Sequence, residues 1–121
     1  GLTMFYEVTR KLPLKADATP AVEFSVGVAL EDNNAASFQL HIISAAGTFT
    51  SVVAQLQGSN DLCNWEDIGS ASLSASTAPS FQVYGGTNVT PWAFVRLRYT
   101  ATAGSAVQVM LKAAIELFHK G

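Results

Sequence analysis

A chain of 121 residues and 12.8 kDa has room for one core of two packed layers but not for a comfortable second one. Only 13% of the residues are charged, about half the ordinary share, and the net charge is -2 with a pI near 5.5. The seven basic residues are scattered without a run, which excludes a nucleic-acid-binding stripe, and so neutral a surface points to self-assembly, with faces hidden against partners.

Apolar and polar residues alternate with period two in short blocks separated by turn residues, which predicts an all-β fold: an antiparallel β-sandwich, jelly-roll-like, of about eight strands. "TMFYEVT" opens as a strand. Pro13 and Pro20 in the following "KLPLKADATP" remove ladder donors, so residues 1–20 read as an N-terminal arm or edge segment and residues 21–121 as the single sandwich domain. In "AVEFSVGVAL" the alternation assigns Val22, Phe24, Val26, Val28 and Leu30 to one face of one strand. "EDNN", residues 31–34, closes it as a polar loop.

"SFQLHIISA" follows with Phe38, Leu40 and Ile42 on the apolar side and His41 on the polar one, then "SVVAQLQGS" with Val52, Ala54 and Leu56 together. "WEDIG" begins a partner strand across the polar knot "GSNDLCN". "SASLSASTAPS" is low in complexity and reads as a loop or weakly paired edge, and Gly85-Gly86 as a corner tolerant of positive φ.

"WAFVRLRYTAT" places Val95, Leu97 and Tyr99 opposite Phe94, Arg96 and Arg98. "AVQVMLKAAIELFHKG" has helix-forming composition, but Val107, Val109, Leu111, Ala113, Ile115 and Leu117 fall at strict two-residue spacing, which makes it a strand. Joined through Ala103-Gly104-Ser105 the two would form a hairpin with Tyr99 facing Val109, Leu97 facing Leu111, and Arg96 opposite Lys112.

No arrangement of acids, bases and nucleophiles suggests an enzyme. Cys63 is alone, so it can form no intrachain disulfide, and Leu62 and Asn64 beside it supply no activating charge. His41 and His119 lack ligand-spaced partners, and Gly85-Gly86 precedes neither a lysine nor a helix, so no catalytic, metal or cofactor site is expected. The Glu31–Asn34 and Asn60–Asp67 clusters are oxygen-rich without matching a calcium loop, and turns select such residues in any case. Trp65 and Trp92, with Tyr84, can be read either as glycan-stacking surfaces or as packing at the rim of the core. No apolar run approaches a membrane span, and "GLTMFYEVTRKLPLK" lacks the order of a secretory signal.

"LQGSNDLCNWEDIG", followed by "WAFVRLRYTATAGSAVQVML", resembles a group of small tailed-phage virion proteins over Val52 to Leu117. The resemblance implies a structural hairpin built by Gly58, Ser59, Asn60, Asp61, Asn64 and Trp65, and a strand role for Val95, Arg96, Leu97 and Arg98. The pattern normally carries glycine where this chain has Leu62. By that resemblance the chain is expected to be a non-enzymatic virion protein, a capsid decoration or cement protein. Its expected partners are major capsid or tail proteins and further copies of itself, a trimer being favoured, with neither nucleic acid nor membrane as partner. The alternative is a discoidin-like carbohydrate-binding module using Trp65, Tyr84 and Trp92, since such domains show a similar hairpin.

Overall fold

Nine strands run through the computed structural model, which describes residues 2–121, and no helix occurs among the described residues. They are β1 (Met4–Ala16), β2 (Ala21–Phe24), β3 (Val28–Ala29), β4 (Ala35–Ala45), β5 (Ser51–Ser59), β6 (Glu66–Ala75), β7 (Ser80–Asn88), β8 (Phe94–Thr102) and β9 (Val107–Phe118). They build two antiparallel sheets: a four-stranded one in the order β1-β9-β4-β7, and a five-stranded one in the order β2-β8-β5-β6 with β3 also on β8. Because β2 and β3 lie along the same neighbour, they are two halves of one interrupted strand, and the eight-strand double Greek key of a jelly roll results.

The core lies between the sheets and is supplied by the predicted alternation in four strands. Phe38, Leu40 and Ile42 of β4, Val52, Ala54 and Leu56 of β5, Val95, Leu97 and Tyr99 of β8, and the odd-numbered residues from Val107 to Leu117 of β9 are all buried. Burial of each large side chain contributes roughly 1.5–3 kcal/mol, so these four strands carry most of the driving force.

The expected hairpin between the last two strands does not form. After Thr102 the chain crosses from one sheet to the other, where the Ala103 N–H donates to Asp17 O at 2.9 Å, and β8 and β9 face each other across the core. A shared apolar parity fits two strands packed face to face as well as two strands paired edge to edge. Arg96 lies opposite Gln57, and Lys112 opposite His41, so the like-charge pair implied by the hairpin does not arise.

Residues 4–16 form β1, at the edge of the four-stranded sheet, and Val8, Leu14 and Ala16 enter the common core. Two bulges against β9, between Tyr6 and Thr9 and between Thr9 and Leu12, shift the side-chain phase along β1. Pro13 is accommodated because an edge strand has one unpaired side.

The face assigned to residues 22–30 is also corrected. Ala21 pairs with buried Ala101, which turns Val22 and Phe24 outward beside Thr100 and Arg98. At Ser25 the strand breaks: the Ser25 hydroxyl accepts the Leu97 N–H at 2.8 Å and donates to Val26 O at 2.9 Å. The phase changes across the break, so Val26 is exposed whereas Val28 and Leu30 turn inward. "SASLSA", placed in the serine-rich segment, belongs to strand β6. Gly85 and Gly86 sit inside β7 without positive φ, and a Cβ on Gly86 would stand 2.4 Å from Phe118 Cζ, so close ring approach accounts for that glycine.

Candidate functional site

The polar knot between β5 and β6 is an acceptor-centred turn. Asp61 Oδ1 accepts the N–H groups of Cys63 and Asn64, each at 2.8 Å, and the Ser59 hydroxyl at 3.0 Å, while Oδ2 accepts the Asn64 amide at 2.7 Å. The same Ser59 oxygen accepts the N–H groups of Asp61 and Leu62 at 3.2 and 2.9 Å. Asn60 Oδ1 accepts the Ala93 N–H at 2.8 Å, tying the knot to the start of β8. So many donors hold the Asp61 carboxyl well below the usual carboxylate range, with the Asn64 and Cys63 backbone bonds the main causes.

Leu62 stands at φ 63, the left-handed conformation that glycine would take there without strain. With a leucine side chain that conformation costs about 1–2 kcal/mol of backbone strain. Leu62 O accepts the Trp65 indole N–H at 3.3 Å, and Leu62 Cδ2 and Trp65 both lie over Gly27, where a Cβ would be 3.3 and 3.1 Å away.

Beside the knot, on the outward face of the five-stranded sheet, the Arg96 guanidinium is held between two rings, 4.0 Å from the centroid of Phe24 and 4.2 Å from that of Trp65. Its Nε donates to Gln57 Oε1 at 2.9 Å, Gln57 Nε2 donates to Asp67 Oδ1 at 3.0 Å, and Arg98 binds both Asp67 oxygens at 3.0 and 3.2 Å. The Gln57 amide foremost, with Arg98 behind it, lowers the Asp67 carboxyl; partial burial, then the Arg98 charge, lowers Arg96. The network joins β2, β8, β5 and β6 across the sheet. Its polar groups are spent on one another, so it works as a lateral brace.

Trp92 lies in the turn before β8 with its ring over Gly58, where a Cβ would stand 2.4 Å from Trp92 Cγ. Gly58, Ser59, Asn60, Asp61, Asn64 and Trp65 are thus gathered at one end of the sandwich with Trp92 adjoining. Tyr84 belongs to the other sheet and stacks on Phe38 at 5.2 Å. The three candidate glycan contacts therefore make no common platform: the Trp65 ring faces Arg96, the Tyr84 ring faces Phe38, and Trp92 covers Gly58. Cys63 is exposed in the turn. His41 meets Phe81 edge-on, and His119 Nδ1 lies 3.3 Å from Asp32 O. Among the described residues no three His, Cys, Asp or Glu side chains converge as a metal-binding group, and no helix is long and apolar enough to cross a membrane.

No family model matches the chain, and no curated protein matches it in sequence. Among solved structures it is similar to the PBSX exported protein XepA, with a TM-score of 0.68 at 10% identity, over 100% of this chain and 38% of that one. The likeness is one of fold. This chain thus spans well under half the length of XepA. PirA aligns at a TM-score of 0.48 and 8% identity, covering 94% of this chain and 97% of PirA. A decameric BFDV capsid protein aligns at 0.44 and 6%, covering 96% and 99%.

Phe24, Gly27 and Gln57 are the members of this region that sequence reasoning missed. Alternation counted Phe24 as core. The available signal was the pair of arginines in β8: a strand that turns Arg96 and Arg98 outward needs neighbours able to cover a guanidinium, and an aromatic ring does so.

Proposed function

We propose that this chain is a non-enzymatic structural protein of a phage particle, acting as a capsid decoration or cement protein. The observation that carries the reading is the outward placement of large apolar side chains on both sheets of a weakly charged chain. Phe5, Phe81 and Val83 lie on the four-stranded sheet, and Val22, Phe24 and Val26 along β2 and the break after it. Large apolar side chains exposed together on a sheet face are what a protein–protein contact buries. The hairpin resemblance and the fold shared with XepA support the same reading. Function here is surface burial: many weak contacts to major capsid or tail proteins, and to other copies, add up to shell stability. No cofactor, nucleic acid or membrane enters the proposal, and the site of action is the virion.

Mass spectrometry of purified particles from the source phage is expected to find the chain at a fixed ratio to the major shell protein. Particles made without it should lose their shells at lower temperature. Particles that never contain it would overturn the proposal.

A further inference from the structure

We propose that the outward face of the four-stranded sheet is a self-complementary interface, on which a second copy of this chain packs face to face about a two-fold axis running across the strands at the Ala114–Gln39–Val83 row. This deepens the structural reading above, and rests on it only in treating the chain as one that assembles.

The row is fixed by register: Ala114 of β9 pairs with Gln39 of β4, which pairs with Val83 of β7. Shallow depressions of about 70 and about 150 Å³ flank it, and Phe5, Gln39 and Ala114 line both. One also holds Lys112 and His41, the other Glu116 and Ser37. On β9 these charges lie two residues to either side of Ala114, about 14 Å apart at roughly 3.4 Å per residue, too far to pair within one chain. Among the described residues neither forms an ion pair.

A two-fold axis through the row exchanges the two ends of the face. Lys112 of each copy then meets Glu116 of the other, twice per dimer, with His41 beside the incoming carboxylate. Facing sheets pack about 10 Å apart, a gap that Lys and Glu side chains span end to end. At the centre of the row Ala114 is small enough to let the sheets approach.

Apolar contact follows the same symmetry. Val83, 59% exposed, meets its own copy, and Phe81, 55% exposed, comes over the region of the other copy's Gly85, from which no side chain projects. Four strands of about ten residues give a face of roughly 19 by 34 Å, comparable to the ~800 Å² per partner of a standard interface. The contact is isologous and closes at two copies, in place of the trimer that the sequence resemblance favours.

Sedimentation velocity of the full chain at low salt tests this. Wild type is expected to dimerise at micromolar concentration. Lys112→Glu and Glu116→Lys each set two like-charge pairs across the interface and should weaken dimerisation at least about tenfold. The double variant K112E/E116K regains complementarity and should dimerise again, as should an equimolar mixture of the two single variants. Val83→Asp is expected to give monomer, with far-UV circular dichroism unchanged. A monomeric wild type, association indifferent to the single reversals, or no recovery in the double variant and the mixture overturns the pairing. Particle composition stays a separate readout: a monomer found on particles sinks only the dimer face, and a dimer absent from particles sinks only the virion role.

Discussion

Asp61 earns its place by accepting hydrogen bonds at the surface, so its contribution is tied to its charge. Its pKa is depressed in the fold, so the stabilisation is complete above about pH 4, where an unfolded aspartate is ionised, and is lost as pH falls below that. Thermal melts of wild type and Asp61→Asn should therefore differ most above pH 4 and converge on acidification. Tyr99 works with the opposite sign. Burial pushes its phenol up to about 12, against hydrogen bonds from Thr9 and Ser25, so its contribution is complete below about pH 10 and fades as pH rises toward 12. Tyr99→Phe should lose the 2.7 Å contact with Thr9 at a cost of about 1 kcal/mol, and should flatten the alkaline side of the melting profile. That the Asn60–Asp67 run would bond its own backbone was readable from residue type, because Asp and Asn side chains in turns bond nearby backbone groups. The left-handed Leu62 was not, because leucine carries no local preference for that conformation.

At the scale of the elements, two glycines permit ring contacts of different rigidity. In Gly58→Ala the new methyl would meet the inner atoms of the Trp92 indole at 2.4 Å, and that ring is packed against the core. In Gly86→Ala it would meet the outer tip of the Phe118 ring, which is only half-buried and can swing aside. Chemical denaturation should show a loss of about 1–3 kcal/mol for G58A and a smaller one for G86A. The Phe24–Arg96–Trp65 brace should lose roughly 0.5–1 kcal/mol in F24A beyond its apolar area, and a double-mutant cycle with Arg96→Ala isolates that part. Strand existence and the inward faces of β4, β5, β8 and β9 were readable because their alternation is strict. Partner choice was not: parity in β8 and β9 says which residues are inside and nothing about which sheet each strand joins. Along β1 and β2 the bulges and the Ser25 break shift the phase, and no residue type announces where.

For the whole molecule, β1 is an edge strand that still places three side chains in the common core. Removing residues 2–16 would expose the edge of β9 and withdraw Val8, Leu14 and Ala16, a loss of several kcal/mol against a total of roughly 5–15. Circular dichroism of the truncated chain should show no cooperative melt. The neutral surface that composition announced is matched by apolar side chains on the outside of both sheets, though alternation alone had counted Val22, Phe24 and Val26 as core. Pairing of β1 with β9, from Met4 beside Leu117 to Ala16 beside Val107, has a temporal side as well. Of these nine strands the earliest made finds its hydrogen-bonding partner in the latest made, so this sheet cannot close during translation until β9 has emerged, and until then a 13-residue strand waits unpaired and open to other chains.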